Sequence, residues 1–237
     1  MFNSLLYGAF AGIGGTVTGG LIACAFRRGS VRLIAVLTSF ASGIMLSIVF
    51  FDLIPLSIDS VGVIYTVLFI SVGILFVILG KLVFEVDTRF GDSERMKSSG
   101  IIIMFAIALH NLPEGLIIGA GENVSLGVVT ALLIGLHNVP EGLVTACPLK
   151  SAGVKSYRIL LACFLAGLPT VLGAVLGYML GSTGTMLIAM CAAGAGGAML
   201  YVVYGELIPS MNGKNATAVS TAGIAGIIIG LMMVFLI

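Results

Sequence analysis

Apolar residues run along this chain in long blocks, broken only briefly by polar residues. Eight blocks approach or exceed the length a bilayer requires, about 20 residues, at about 4–26, 33–54, 61–84, 100–120, 124–147, 157–180, 184–205 and 217–237. Backbone polar groups in lipid must be satisfied within the segment, so runs of this length predict helices. The alternation of period two that marks a membrane β-barrel is absent from the pattern. The pattern therefore predicts an all-α polytopic membrane protein, residues 1–237 forming one transmembrane domain with a connecting loop at about 85–99. The first block has no basic leader and outruns a signal-peptide core, so it reads as a retained helix.

Composition narrows the class further. Of 237 residues, 59% are hydrophobic and 9% charged, against about a quarter charged in soluble domains. That excludes a soluble enzyme, a nucleic-acid binder and a disordered chain. The four cysteines, Cys24, Cys147, Cys163 and Cys191, form no CxxC pair and read as small apolar residues. With 11 Lys+Arg against 10 Asp+Glu, net charge suggests no charged macromolecular partner.

The placement of the basic residues is more informative. Arg27, Arg28 and Arg32 fall between blocks one and two. Lys81, Arg89, Arg95 and Lys97 fall around the join of three and four, Lys150, Lys155 and Arg158 between five and six, and Lys214 between seven and eight. All 11 share one side of an eight-span arrangement. The excess of Lys and Arg in cytoplasmic loops makes that side the cytoplasm, with both termini outside. Loop 85–99 mixes signs (Glu85, Asp87, Arg89, Asp92, Glu94, Arg95, Lys97) and reads as a solvated connector without the His or Cys of a metal-sensing loop.

Two repeats organise the chain. Ala41–Pro55, ASGIMLSIVFFDLIP, returns as Ala195–Pro209, AGGAMLYVVYGELIP, with eight of fifteen positions identical at an offset of 154 and Asp52 matched by Glu206. An odd number of crossings separates the copies, so spans 1–3 and 6–8 are expected to be an inverted pair, giving a 3+2+3 plan typical of transporters. Asp52 then lies toward the outer face and Glu206 toward the cytoplasmic face. The second repeat, IALHNLPEGL at 107–116 and IGLHNVPEGL at 134–143, occupies spans four and five.

That repeat holds both histidines of the chain. His110 and Glu114, like His137 and Glu141, are four residues apart and share a helix face. Asn111 and Asn138 lie one residue further round. A carboxylate near mid-bilayer costs about 2.5–3.5 kcal/mol on insertion scales, and two on adjacent helices repel; a bound cation relieves both. A His, Glu and Asn donor set suits Zn²⁺ or Fe²⁺ better than Ca²⁺, Mg²⁺ or Cu⁺. Pro113 and Pro140 free the carbonyls of Leu109 and Leu136, which is tolerated in a membrane where a cavity is lined. Asp52 and Glu206 are ion-path candidates. Glycines four apart, as at Gly8/Gly12, Gly15/Gly19, Gly173/Gly177/Gly181 and Gly226/Gly230, predict close helix contacts.

At HNxPEG, twice, the chain resembles the ZIP (Zrt/Irt-like protein) family of divalent metal transporters, and the compact bacterial members in particular. The resemblance covers the whole chain. It implies uptake of Zn²⁺, with Fe²⁺, Mn²⁺, Co²⁺ or Cd²⁺ as further cargo, into the cytoplasm across the cell membrane. It also implies a homodimer and an elevator motion in which spans 1, 4, 5 and 6 carry metal past spans 2, 3, 7 and 8. Carried over by position, His110, Glu114, His137 and Glu141 would hold the main ion, and Asn111 and Asn138 with the same glutamates a second. Two departures stand out: span 6 has no carboxylate, only Thr170 near the place of the family's extra ligand, and the cytoplasmic loop has no histidine, leaving Asp87, Asp92 or Glu206 at the exit. No GxxxxGK[ST] phosphate loop is present, so direct drive by ATP is not expected. The competing reading is a membrane-embedded metalloenzyme with a His/Glu centre, against which stands the absence of HExxH and of a Glu-x-x-His pair.

Overall fold

A computed structural model describes residues 1–25, 31–84, 91–120, 124–180, 184–211 and 215–235. Arg27, Arg28, Glu85, Asp87, Arg89 and Lys214, and so much of the expected loop, lie outside the described residues, as do the side chains of Asp92 and Arg95. The described residues are helical throughout their length apart from short turns, with no strand among them.

Helix α1 runs Phe2–Ala25 through a π-helical turn at Ala9–Gly14. Helix α2 covers 31–61, with a π-helical turn at Val49–Leu53, and α3 covers 63–84. Gly62 separates them: its φ of 80° and ψ of 164° are open to glycine and strained for any residue with a Cβ. Ser57 and Thr66 close this corner, their hydroxyls 3.0 Å apart, while Thr66 donates to the Gly62 carbonyl at 2.9 Å. Next come α4 (Asp92–Ala120), α5 (Val124–Ser151) and α6 (Ser156–Leu180). Helix α7 spans 185–210 with a π-helical turn at Val202–Leu207, and α8 is Ala216–Phe235.

Several ends differ from the apolar blocks. Helix α4 begins at Asp92 rather than near 100, so residues 92–99 belong to a helix and not to the connector. Its first two turns are polar, and hydropathy cannot see a helix that projects beyond the apolar layer. Helix α5 likewise continues to Ser151 through Pro148. Helix α2 continues past Pro55, where the sequence suggested an end. The π-helical turns supply the reason. Pro55 and Pro209 each lie two residues past the end of one, and the wider turn accommodates a proline ring and a carbonyl that has lost its N–H partner.

Six segments among the described residues are long and apolar enough to cross a membrane: Phe2–Ala25, Arg32–Leu82, Met96–Ala120, Ser156–Leu180, Met186–Ser210 and Ala216–Phe235. Arg32–Leu82 has 51 residues, about 76 Å of helix at 1.5 Å per residue, and turns at Gly62. The protein is thus an all-helical, multi-pass membrane protein.

The helices pack in a paired pattern. Helix α4 lies along α6, α1 along α5, α2 along α8 and α3 along α7. Glycines make these contacts, and they repeat at the offsets seen in the sequence. A Cβ on Gly142 would strike the Thr16 carbonyl, and one on Gly115 the Thr170 carbonyl; Thr16 and Thr170 are 154 apart, Gly115 and Gly142 are 27 apart. Gly19 meets the Val139 carbonyl as Gly173 meets that of Leu112. Gly226 against Phe40 corresponds to Gly73 against Gly194. Pair α1–α5 is therefore the image of α6–α4, and α2–α8 the image of α7–α3.

Candidate metal centre

His110 and Glu114 on α4 face His137 and Glu141 on α5. His110 Nε2 lies 2.7 Å from Glu114 Oε1 and 3.3 Å from Glu141 Oε1, and His137 Nε2 lies 2.6 Å from Glu114 Oε1. One donor atom each from His110, Glu114 and His137 fall within 4.8 Å of one another. All four side chains are buried, His110 completely.

The asparagines are fixed from behind. Asn111 Nδ2 donates to the Ala166 carbonyl on α6 at 2.8 Å, and Asn138 Nδ2 to the Ala11 carbonyl on α1 at 3.1 Å. Each amide group is thereby oriented, and its Oδ1 has no donor. Glu114 Oε2, both oxygens of Glu141 and His110 Nδ1 also lack hydrogen-bond partners. A buried polar atom left unpaired costs about 1–3 kcal/mol. Here the unpaired atoms are concentrated in one place and are overwhelmingly acceptors. Unpaired lone pairs on nitrogen and oxygen, grouped in this way, are the kind of donor set a cation site uses.

The remaining candidates divide. Asp52, half-buried in the π-helical turn of α2, is within electrostatic reach of His137, Glu114 and His110. Glu206, in the matching turn of α7, is held elsewhere: Oε1 takes the Lys81 ammonium at 2.8 Å and Oε2 the Ser99 hydroxyl at 2.8 Å. It lines a cavity of about 400 Å³ together with Thr38, Ile103, Val144 and Cys147. Thr170 is fully buried with an unpaired hydroxyl directed at Gly12. Its repeat counterpart Thr16 donates instead to the carbonyls of Gly12 and Cys163, both at 2.8 Å. The pseudo-symmetry breaks here: the Ala166 carbonyl, the counterpart of Gly12's, accepts from Asn111 rather than from Thr170.

Sequence reasoning missed Thr145, whose buried hydroxyl, one turn beyond Glu141, has no partner. It also missed the Lys81–Glu206 pair. Glu206 and Lys81 had been assigned to the same membrane face, and that was the available signal.

These features define a class: a multi-pass membrane protein with a buried His/Glu/Asn cluster at its centre, a candidate cation site. The chain belongs to the ZIP zinc transporter family, whose sequence profile matches residues 85–237. It is 34% identical to the zinc transporter ZupT of Chlorobium limicola over 96% of this chain and 92% of that one. Against the zinc transporter ZupT of Corynebacterium glutamicum it is 32% identical, over 94% and 96% of the two chains. It is 36% identical to the zinc transporter GufA of Myxococcus xanthus, over 57% and 55%. Members of this family are transporters, so the protein is not an enzyme, and the metalloenzyme reading falls away.

Proposed function

We propose that this protein moves Zn²⁺ into the cytoplasm through the centre formed by His110, Glu114, His137 and Glu141. The observation that carries the reading is the cluster of buried acceptors without donors around those four side chains. Asn111 and Asn138 offer their free Oδ1 atoms to a second ion that shares the glutamates, and the unpaired Thr170 hydroxyl stands where span 6 lacks a carboxylate. Fe²⁺, Mn²⁺, Co²⁺ and Cd²⁺ have compatible ligand preferences and are competing cargo.

The chain crosses the bilayer eight times in a 3+2+3 plan with both termini outside. Support comes from the turn at Gly62, from α5 as a further full-length helix, and from the contacts that recur at offsets of 154 and 27. The ion enters past Asp52, exchanges water for His/Glu ligands at mid-membrane, and leaves through the cavity beside Glu206. The packing favours an elevator in which α1, α4, α5 and α6 move against α2, α3, α7 and α8, since the tightest pairs lie within these sets. The working unit is a homodimer in the cell membrane. An inside-negative potential favours inward movement by about 2.3 kcal/mol per charge per 100 mV.

Purified protein in liposomes loaded with a zinc indicator is the direct test. Wild type admits Zn²⁺, faster with the interior negative, and Glu114→Ala or Glu141→Ala abolishes uptake. Unchanged flux in both variants would refute the assignment.

A further inference from the structure

The cavity of about 400 Å³ lies between the α4/α5 pair on one side and α2 and α7 on the other. Its lining reaches Val144, three residues from Glu141, and Ile103, two turns from His110. An ion released from the His/Glu centre toward the cytoplasm therefore enters it. Among the described residues that line it, Glu206 is the one with a charge. An exposed carboxylate in so apolar a space would capture a divalent cation and release it slowly, because few waters compete for the ion.

Glu206 is not left bare. Lys81, reaching across from α3, places its ammonium 2.8 Å from Oε1, and Ser99 on α4 donates to Oε2 at 2.8 Å. The Glu206 side chain is 9% exposed and that of Lys81 25%, so the carboxylate end of the pair is sheltered while the lysine stem reaches it from a partly exposed position. We propose that Lys81 is a positioning residue for ion release: as a tethered cation it occupies the inner carboxylate, so that departing metal is guided past Glu206 without being trapped there. Lysine suits this task, being a compact point charge on a flexible stem that can yield and return. Ser99 belongs to the set of helices assigned to movement and Lys81 and Glu206 to the other, so the arrangement also spans the boundary the ion must follow. The inference rests on the proposed transport function for its meaning, but its central claim concerns a second ion site and can be tested separately.

The test is metal stoichiometry by equilibrium dialysis with Zn²⁺ in detergent, followed by stopped-flow release into chelator. Lys81→Gln is expected to bind one more Zn²⁺ per chain than wild type. Release from that added site is expected to be slower by about tenfold or more, each tenfold corresponding to 1.4 kcal/mol of added affinity. Lys81→Arg keeps the wild-type count, and adding Glu206→Gln to Lys81→Gln removes the extra ion, a suppression that a merely structural lysine would not show. Lys81→Met, which retains the aliphatic stem, carries the same expectation should the glutamine variant fail to fold. Repeating the series in a Glu114→Ala/Glu141→Ala background separates the two readings: the extra ion persists there if the inference holds, whatever becomes of the central site. An unchanged count in folded Lys81→Gln and Lys81→Met, or an extra ion that survives Glu206→Gln, overturns it.

Discussion

Glu141 carries two buried oxygens without a donor and lies 3.3 Å from His110. Those unpaired oxygens cost stability, which on the proposed reading a bound ion would restore. Glu141→Gln should therefore leave the metal-free protein as stable as wild type or more so, while abolishing the rise in melting temperature on adding Zn²⁺. For wild type that rise corresponds to about 2.7 kcal/mol at a hundred times the dissociation constant. Thermal unfolding with and without Zn²⁺ decides; a variant that keeps the zinc-dependent rise would show that Glu141 is not a ligand. Asn111→Ala makes a milder change. It removes one oxygen donor, so metal counting should show loss of the second ion with retention of the first.

At the level of the helix, close approach is set by glycine. Gly142 and Gly115 meet the carbonyls of Thr16 and Thr170 with no room for a methyl group. Gly142→Ala or Gly115→Ala should thus cost about 1–3 kcal/mol, the usual penalty of overpacking, and displace a ligand-bearing helix so that zinc uptake falls too. Gly14→Ala is the control: its nearest neighbour is 3.8 Å away, and it should unfold within about 1 kcal/mol of wild type. Equal losses at all three positions would deny that packing is responsible. Much of this was legible in the sequence. The HNxPEG repeats pointed to the four side chains that the fold brings together, because groups at helical spacing share a face. The spacing of glycines announced tight contacts without saying which helices met. The polar start of α4 at Asp92 and the passage of α2 beyond Pro55 were not legible, since hydropathy reports lipid contact rather than helix continuity. Nor was the engagement of Glu206 by Lys81, which joins residues 125 apart through tertiary packing alone.

For the molecule as a whole, the decisive question is which side the cavity beside Glu206 faces. Ser151 lines it and is exposed, so in a variant carrying Ser151→Cys as its single cysteine, a small membrane-impermeant thiol reagent should react from the cytoplasmic side of oriented vesicles and not from the other. Reaction confined to the outer side would reverse the topology. The paired packing adds a broader point. Several close contacts in one half have twins in the other, yet Asp52 lies within electrostatic reach of the His/Glu cluster while its twin Glu206 is clasped by a lysine. In the cycle we propose, the two near-copies would trade their unlike poses, so that the vestibule closes on one face of the membrane as it opens on the other, with no new fold to be invented.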